Sequence, residues 1–396
     1  MRLPIALLML LAALGGTAQA QVPLKRSVRS LTVIEDGAAV LTEPRRDAAR
    51  RGTLVLGASL KVIARAPGEG CGDAGFYQLG EAAFVCSSAV RAEKTHPEPM
   101  ALPDAALPHE YLSVRREGAR GYARPEDAAT DEYDTAYAKG FTVVARERIE
   151  HEGVAFVRTR RGHYVRARDL RPVRGSDFAG VELGERPLSS VAFVIAKRAS
   201  VRDDQGRALR ELPRLAKLEV LGQEGERLRI AGGGFVDVAA TMQPSAAAKP
   251  EEVAADELWI DVDLERQVLV AYRGAQPIFV TLISSGKPRR RTETPRGRFR
   301  IWVKLISSDM RDRERHELEQ SYALEAVPWV QYFEGGYGFH AAFWHERFGE
   351  PMSRGCINLS PADARTLFQL TRPVLPAGWE AVLPADRARS TLVVLR

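Results

Sequence analysis

The chain has 396 residues, too many for one ordinary hydrophobic core, so several domains are expected. With 45% hydrophobic and 27% charged residues, it is neither a disordered nor a fibrous chain and reads as globular. The net charge of +6 suits an anionic surface, but Lys and Arg are scattered without an aromatic-laced basic block, so no nucleic-acid partner is expected.

At the start, Arg2 precedes the apolar run Leu3 to Leu14, followed by Gly15-Gly16-Thr17-Ala18-Gln19-Ala20. A charged start, a short apolar stretch and an Ala-x-Ala exit predict a cleaved secretory signal over residues 1–20, leaving Gln21 first. The apolar run is too short to span a bilayer, and no later stretch is apolar enough, so no integral membrane segment is expected after cleavage. No cysteine follows the exit, which argues against a lipid anchor. Three cysteines are present, Cys71, Cys86 and Cys356. Cys71 and Cys86 flank a strand-like Gly-Phe-Tyr-x-Leu pattern and are disulfide candidates across a hairpin. Cys356 is the odd thiol, either an intermolecular partner or a reactive group. No Cys-x-x-Cys or close Cys/His set exists, so no metal site is expected.

From residue 30 to 243 short alternating runs are punctuated by Gly, Pro and Asp. Leu60–Ala64, Gly75–Leu79 and Ala83–Val85 form one unit, within 30–92. Phe141–Ala145, Gly153–Val157 and Gly162–Val165 repeat the pattern within 108–175, and Leu218–Leu221, Leu228–Ile230 and Gly234–Asp237 do so more weakly within 188–243. Such spacing predicts small barrels. The units resemble bacterial Src-homology-3-like (SH3-like) modules; the other reading is one continuous β-rich domain without a binding role. Pro-bounded, small residues over 244–255 mark a linker.

The last domain, 256–396, opens with three strand-like runs, Leu258–Asp263, Gln267–Tyr272 and Pro277–Leu282, an expected antiparallel meander. Thr294–Ile301 adds a turn and a strand. A short helix is predicted from Pro361 to Leu370, with Ser360 as N-cap, Pro361 at the first position and Asp363 in the first turn. Strand returns at Trp379–Leu383 and Leu392–Leu395. The fold class expected is mainly β, with two to three small modules before a β-rich domain with short helices.

Chemistry concentrates near the C-terminus, in Gly338-Phe339-His340-Ala341 and Ser353-Arg354-Gly355-Cys356-Ile357-Asn358. A thiol is only a few per cent thiolate at neutral pH; a nearby imidazole can take its proton and return it to a leaving amine. His340 is the expected base and Cys356 the nucleophile, with His345 the alternative base. The histidine followed by this Gly-Cys segment, together with Ser284-Ser285-Gly286-Lys287, Thr294-Pro295-x-Gly297-x-Phe299, Val327-Pro328-Trp329 and His340-Ala341-Ala342-Phe343-Trp344, resembles the L,D-transpeptidase (YkuD-type) catalytic domain over about a third of the chain.

That resemblance implies acyl transfer on peptidoglycan stem peptides, donor and acceptor both, through a thioester that yields 3→3 cross-links in the periplasm or cell wall, with no cofactor. It implies a backbone carbonyl, that of Ala341, orienting His340, and N–H groups of Gly355 and Cys356 facing the oxyanion. Ser353, Arg354, Asn358, Trp329 and Tyr332 are the expected substrate-binding residues, although Trp329 and Tyr332 read equally well as core. Arg354 departs from the family's histidine at its position. The alternatives are an L,D-carboxypeptidase or hydrolase with the same site, or an inactive wall-binding scaffold.

Overall fold

The computed structural model describes residues 23–24, 27–72, 75–289, 292–311 and 323–396. The expected signal over 1–20 lies outside the described residues. Strands dominate, as expected; among the described residues the α-helices are Asp127–Thr130 and Pro361–Leu370. The chain divides into two compact units, residues 1–100 and 101–396.

In the first unit Ser30–Val33 lies between Ser59–Lys61 and Val90–Glu93, antiparallel to both. A second antiparallel set pairs Ala39–Leu41 with Arg50–Leu54 and Ala83–Cys86, and Phe76–Gly80 with Ala83–Cys86 and Ala64–Ala66. Alternation sends Leu31, Val33, Phe76 and Val85 into the interior. Cys71 and Cys86 are joined by a disulfide with Cα atoms 5.2 Å apart.

The second unit begins with a β module over 110–173. Glu110–Val114 pairs with both Thr142–His151 and Leu170–Val173, around Leu112, Val114, Val143, Val157 and Val165. Another module over 191–242 is a seven-stranded antiparallel sheet, in which Lys217–Glu224 buries Leu218 and Val220 between exposed Lys217, Glu219 and Leu221. The 243–250 stretch forms neither helix nor strand and is held against the C-terminal domain, where Ala247 N donates to Tyr272 Oη at 3.0 Å and Ser245 Oγ to Asp263 at 3.1 Å.

The C-terminal domain contains two sheets. The first runs Val181–Glu182, Gln276–Leu282, Val268–Arg273, Leu258–Asp263, Leu392–Leu395, Gly297–Arg300. Its first three long strands form the expected meander, and the closing strand Leu392–Leu395 lies parallel to Leu258–Asp263, every residue of which is buried. Buried Asp261 and Asp263 on that strand are met by Arg396 at 2.9 and 3.0 Å. The second sheet is built from Trp379–Val382, Val303–Arg311, Ala323–Glu334, Tyr337–Ala341 and Ile357–Leu359.

The Pro361–Leu370 helix starts where the sequence places it. Ser360 Oγ accepts from Asp363 N at 3.1 Å, and Pro361 occupies the first turn. Its inner face buries Ala364, Leu367 and Phe368 against the second sheet. Lys304, 1% exposed on the Val303–Arg311 strand, donates to Phe368 O and Thr371 O at the end of this helix, capping carbonyls that lack helical partners.

Candidate active site

Parallel pairing of Tyr337–Ala341 with Ile357–Leu359 sets Phe339 against Ile357, His340 against Asn358 and Ala341 against Leu359. Side chains alternate along a strand, so His340 and Asn358 share one face, and Cys356 joins them from the residue before the strand. All three line one cavity of about 310 Å³, with Ser353 and Arg354 on the same wall.

The turn before Cys356 is held from several sides. Gly355 adopts φ +124°, and a Cβ there would lie 2.5 Å from the Tyr337 ring, so only glycine fits. Thr294 Oγ1 donates to Gly355 O at 2.7 Å and accepts from Gly286 N at 2.8 Å. Ser284 exchanges backbone bonds with Asn358, and Lys287 N donates to Ser353 O at 3.1 Å. The dispersed Ser284–Lys287 and Thr294–Pro295 segments thus converge on the cysteine turn. Ser353 Oγ closes the turn by donating to Cys356 O and accepting from Gly355 N at 3.0 Å. Gly355 N–H is therefore occupied by Ser353 here.

Cys356 is a free thiol whose Sγ donates to Gly336 O at 3.5 Å. Burial pushes its pKa up, opposed by a backbone hydrogen bond from Gly338. His340 is 3% exposed, and its Nδ1 lies 3.1 Å from Ala341 O. A carbonyl only accepts, so Nδ1 carries the hydrogen and Nε2 keeps its lone pair. Burial lowers the His340 pKa to about 4, against the Ala341 bond that raises it. Both shifts favour neutral thiol beside neutral imidazole over a resting ion pair. The His340 ring faces that of Trp344 at 5.9 Å.

Residues 257–382 match the YkuD family, the L,D-transpeptidase catalytic domain. No curated protein matches the chain. Among solved structures, a crystal structure of the Enterococcus faecium L,D-transpeptidase with a cysteine-to-serine substitution is 25% identical, covering 35% of this chain and 50% of its own, with a TM-score of 0.28. The present chain therefore spans about half the length of that structure. The E. faecium catalytic domain acylated by ertapenem is 25% identical over 36% of this chain and 99% of its own, with a TM-score of 0.28. An L,D-transpeptidase from Mycobacterium smegmatis is 17% identical over 61% of this chain and 90% of its own, with a TM-score of 0.29.

Two aromatic residues expected at the substrate lie elsewhere in the YkuD domain. Trp329 is fully buried, donates Nε1–H to Ala106 O at 2.6 Å and packs on Phe368 at 5.4 Å; it belongs to the core. Tyr332 stacks on Trp302 at 6.0 Å. Neither lines the cavity. His345, the alternative base, stands next to Asn358, with its Nε2 3.0 Å from the amide Nδ2, and its Nδ1 accepts from Arg347 N at 3.2 Å.

The far wall was not read from sequence. It is made by Met310 and Leu324, on the Val303–Arg311 and Ala323–Glu334 strands, and by Gly140 of the 110–173 module, with Trp344 and Met352 beside them. No local motif marks Gly140, whose place follows from packing between segments remote in sequence. Among the described residues, no group of three or more His, Cys, Asp or Glu is placed to hold a metal ion, and no helix is long and apolar enough to cross a membrane.

Proposed function

We propose that the YkuD domain is a cysteine L,D-transpeptidase acting on peptidoglycan stem peptides outside the cytoplasmic membrane. The observation that carries this reading is a free Cys356 that lines one cavity with His340, whose Nδ1 is held by Ala341 O so that Nε2 is left to take a proton.

Cys356 Sγ attacks the carbonyl of the third stem residue while His340 Nε2 takes the thiol proton. Burial disfavours both charged forms, so the site rests as thiol and imidazole and His340 takes the proton in the course of the first half-reaction. The Ala341 carbonyl holds the imidazole and steadies the imidazolium that forms. Collapse of the tetrahedral intermediate expels the terminal D-alanine, which leaves as an amine with the proton returned from His340. An acceptor amine then attacks the thioester and gives one proton to His340 Nε2; collapse forms the 3→3 amide link and expels the thiolate, which takes that proton back from His340 and restores the free thiol. With Gly355 N–H engaged by Ser353, the oxyanion falls to Cys356 N–H and neighbouring donors. Arg354 at the cavity rim supplies a fixed cation in place of the family's histidine and favours anionic groups of the stem peptide.

Incubation with a disaccharide-tetrapeptide, followed by mass spectrometry, tests the reading. Cross-linked dimers are expected from the native protein and none from Cys356→Ala. Shortened monomers without dimers would assign the acceptor as water, and turnover by Cys356→Ala would overturn the mechanism. Acylation by a carbapenem, seen as an adduct on Cys356 in intact-protein spectra, reports the first half-reaction alone.

A further inference from the structure

His340 is 3% exposed, and acyl transfer turns its ring into an imidazolium each time Nε2 takes a proton. That charge forms where burial already lowers the ring's pKa to about 4. The polar groups nearby give little relief. Ala341 O meets Nδ1 at 3.1 Å, but His345 lowers the pKa further, and Arg354 brings a like charge to the same cavity. None of the described residues lining that cavity is an aspartate or a glutamate.

What faces the ring is an indole. Trp344 lines the cavity and stacks on His340, with ring centroids 5.9 Å apart and planes inclined by 29°. Phe343 and His345 meet Trp344 nearly at right angles, at 5.0 Å and 87° and at 6.1 Å and 79°. Of these three rings, His340 is the one set face to face with the indole. The π-face of tryptophan is negative and attracts a cation within about 6 Å of its centroid, more strongly where water is excluded. A neutral imidazole gains less from that face, so the stack favours the charged form that arises during reaction over the resting one. We propose that Trp344 is a positioning residue that presents its indole face to His340 and stabilises the imidazolium formed during acyl transfer. The proposal rests on the acyl-transfer reading above, and gives to an aromatic face the task that a carboxylate performs in a Ser-His-Asp triad. Trp344 is 38% exposed, so stacking on substrate is the rival role for the same ring.

The test uses the full chain, with acylation of Cys356 by ertapenem followed over pH and over ertapenem concentration. Tetrafluorotryptophan placed at position 344 keeps the ring's shape while removing its negative face. It is expected to slow maximal acylation at pH 7 about fivefold, with the half-saturating ertapenem concentration unchanged. Trp344→Phe, which keeps a weaker face, should lose about twofold, and Trp344→Leu, an apolar cover without a π-face, about as much as fluorination. Loss of the face disfavours the imidazolium, so the acid limb of the pH–rate profile should move to lower pH in the fluorinated protein. A ring that only shielded His340 from water would leave the fluorinated protein native in rate, and a substrate platform would change half-saturation and not the maximal rate. Either result, or an acid limb that moves to higher pH on fluorination, would overturn the proposal. If native Cys356 is never acylated, the acyl-transfer reading fails. An NMR titration of the His340 ring, expected to give a lower pKa in the fluorinated protein, then decides the stack without it.

Discussion

The two β modules of the second unit, 110–173 and 191–242, are both antiparallel and both packed on the C-terminal domain, yet they hold different walls of the same site. The 110–173 module grips two strands of the second sheet. Val144 N donates to Glu325 at 2.8 Å, Arg161 bridges Glu325 at 2.7 Å and Asp309 at 2.9 Å, and Tyr111 Oη donates to Ala326 O at 2.7 Å. Tyr111 also packs on Phe343 at 4.3 Å. The 191–242 module grips a loop: Arg214, tied to Ile195 O within the module, donates to Phe348 O at 2.8 Å and meets Glu350 at 3.0 Å. One arginine thus fixes the strands behind Met310 and Leu324, and the other fixes the loop that carries His345. The difference teaches that such modules need not be tethers alone, because each supplies rigidity to the candidate site at a separate point.

Removing Arg161 should have the largest effect. Glu325 is 1% exposed, and burial already raises its pKa, so losing its cation strands a buried carboxylate at a cost on the order of 3 kcal/mol. Arg161→Ala should lower the urea midpoint and slow Cys356 acylation about tenfold, whereas Glu325→Gln, which keeps an oxygen for Val144 N, should lose less. Arg214→Ala deletes bonds to carbonyls and a half-exposed glutamate, for about 1–2 kcal/mol, and should slow acylation only ~2- to 3-fold. If Arg214→Ala proved the more damaging to acylation in parallel kinetics, the ranking of the two walls would be reversed.

Gly140 sharpens the same contrast with a smaller change. A Cβ there meets nothing within 4 Å, but the φ of +85° strains any other residue by about 1 kcal/mol. Gly140→Leu should raise KM for a tetrapeptide several-fold with kcat little altered, because the new side chain crowds the wall facing the thiol. An unchanged KM would remove the module from the substrate's path.

How much of this was legible depends on the range of the contacts. His340, Cys356, Ser353, Arg354 and Asn358 fall within two short segments whose pairing brings them to one cavity, so local motif was enough. The meander from Leu258 to Leu282 was readable because its apolar runs and turns are local. The parallel return of Leu392–Leu395 beside Leu258–Asp263 was not, since no local pattern specifies a partner more than a hundred residues away. Trp329 and Tyr332 stood even between cavity and core for another reason. Ala326 and Trp329 adopt φ of +47° and +61° inside the Ala323–Glu334 strand, interrupting the alternation by which inward and outward residues are told apart. Gly140 had no local signal at all.

Lys304 offers the finest test, because it holds from inside the strand that Arg161 holds from outside. Its ammonium is buried against two carbonyls and the Phe368 ring at 4.3 Å, with no carboxylate among its hydrogen-bond partners. Burial lowers its pKa from 10.5 to about 7. Between those pH values the unfolded chain keeps a proton that the folded chain has released, so raising pH through this window stabilises the fold. Thermal unfolding should therefore show Tm rising between pH 7 and 10, each kcal/mol being worth about 2–4 °C. Lys304→Met should flatten that rise while lowering Tm most at high pH, where the neutral amine still donates to Phe368 O or Thr371 O. If the variant kept the native slope, the strand's inner anchor would be something other than this amine, and the cavity wall would rest on the Arg161 side alone.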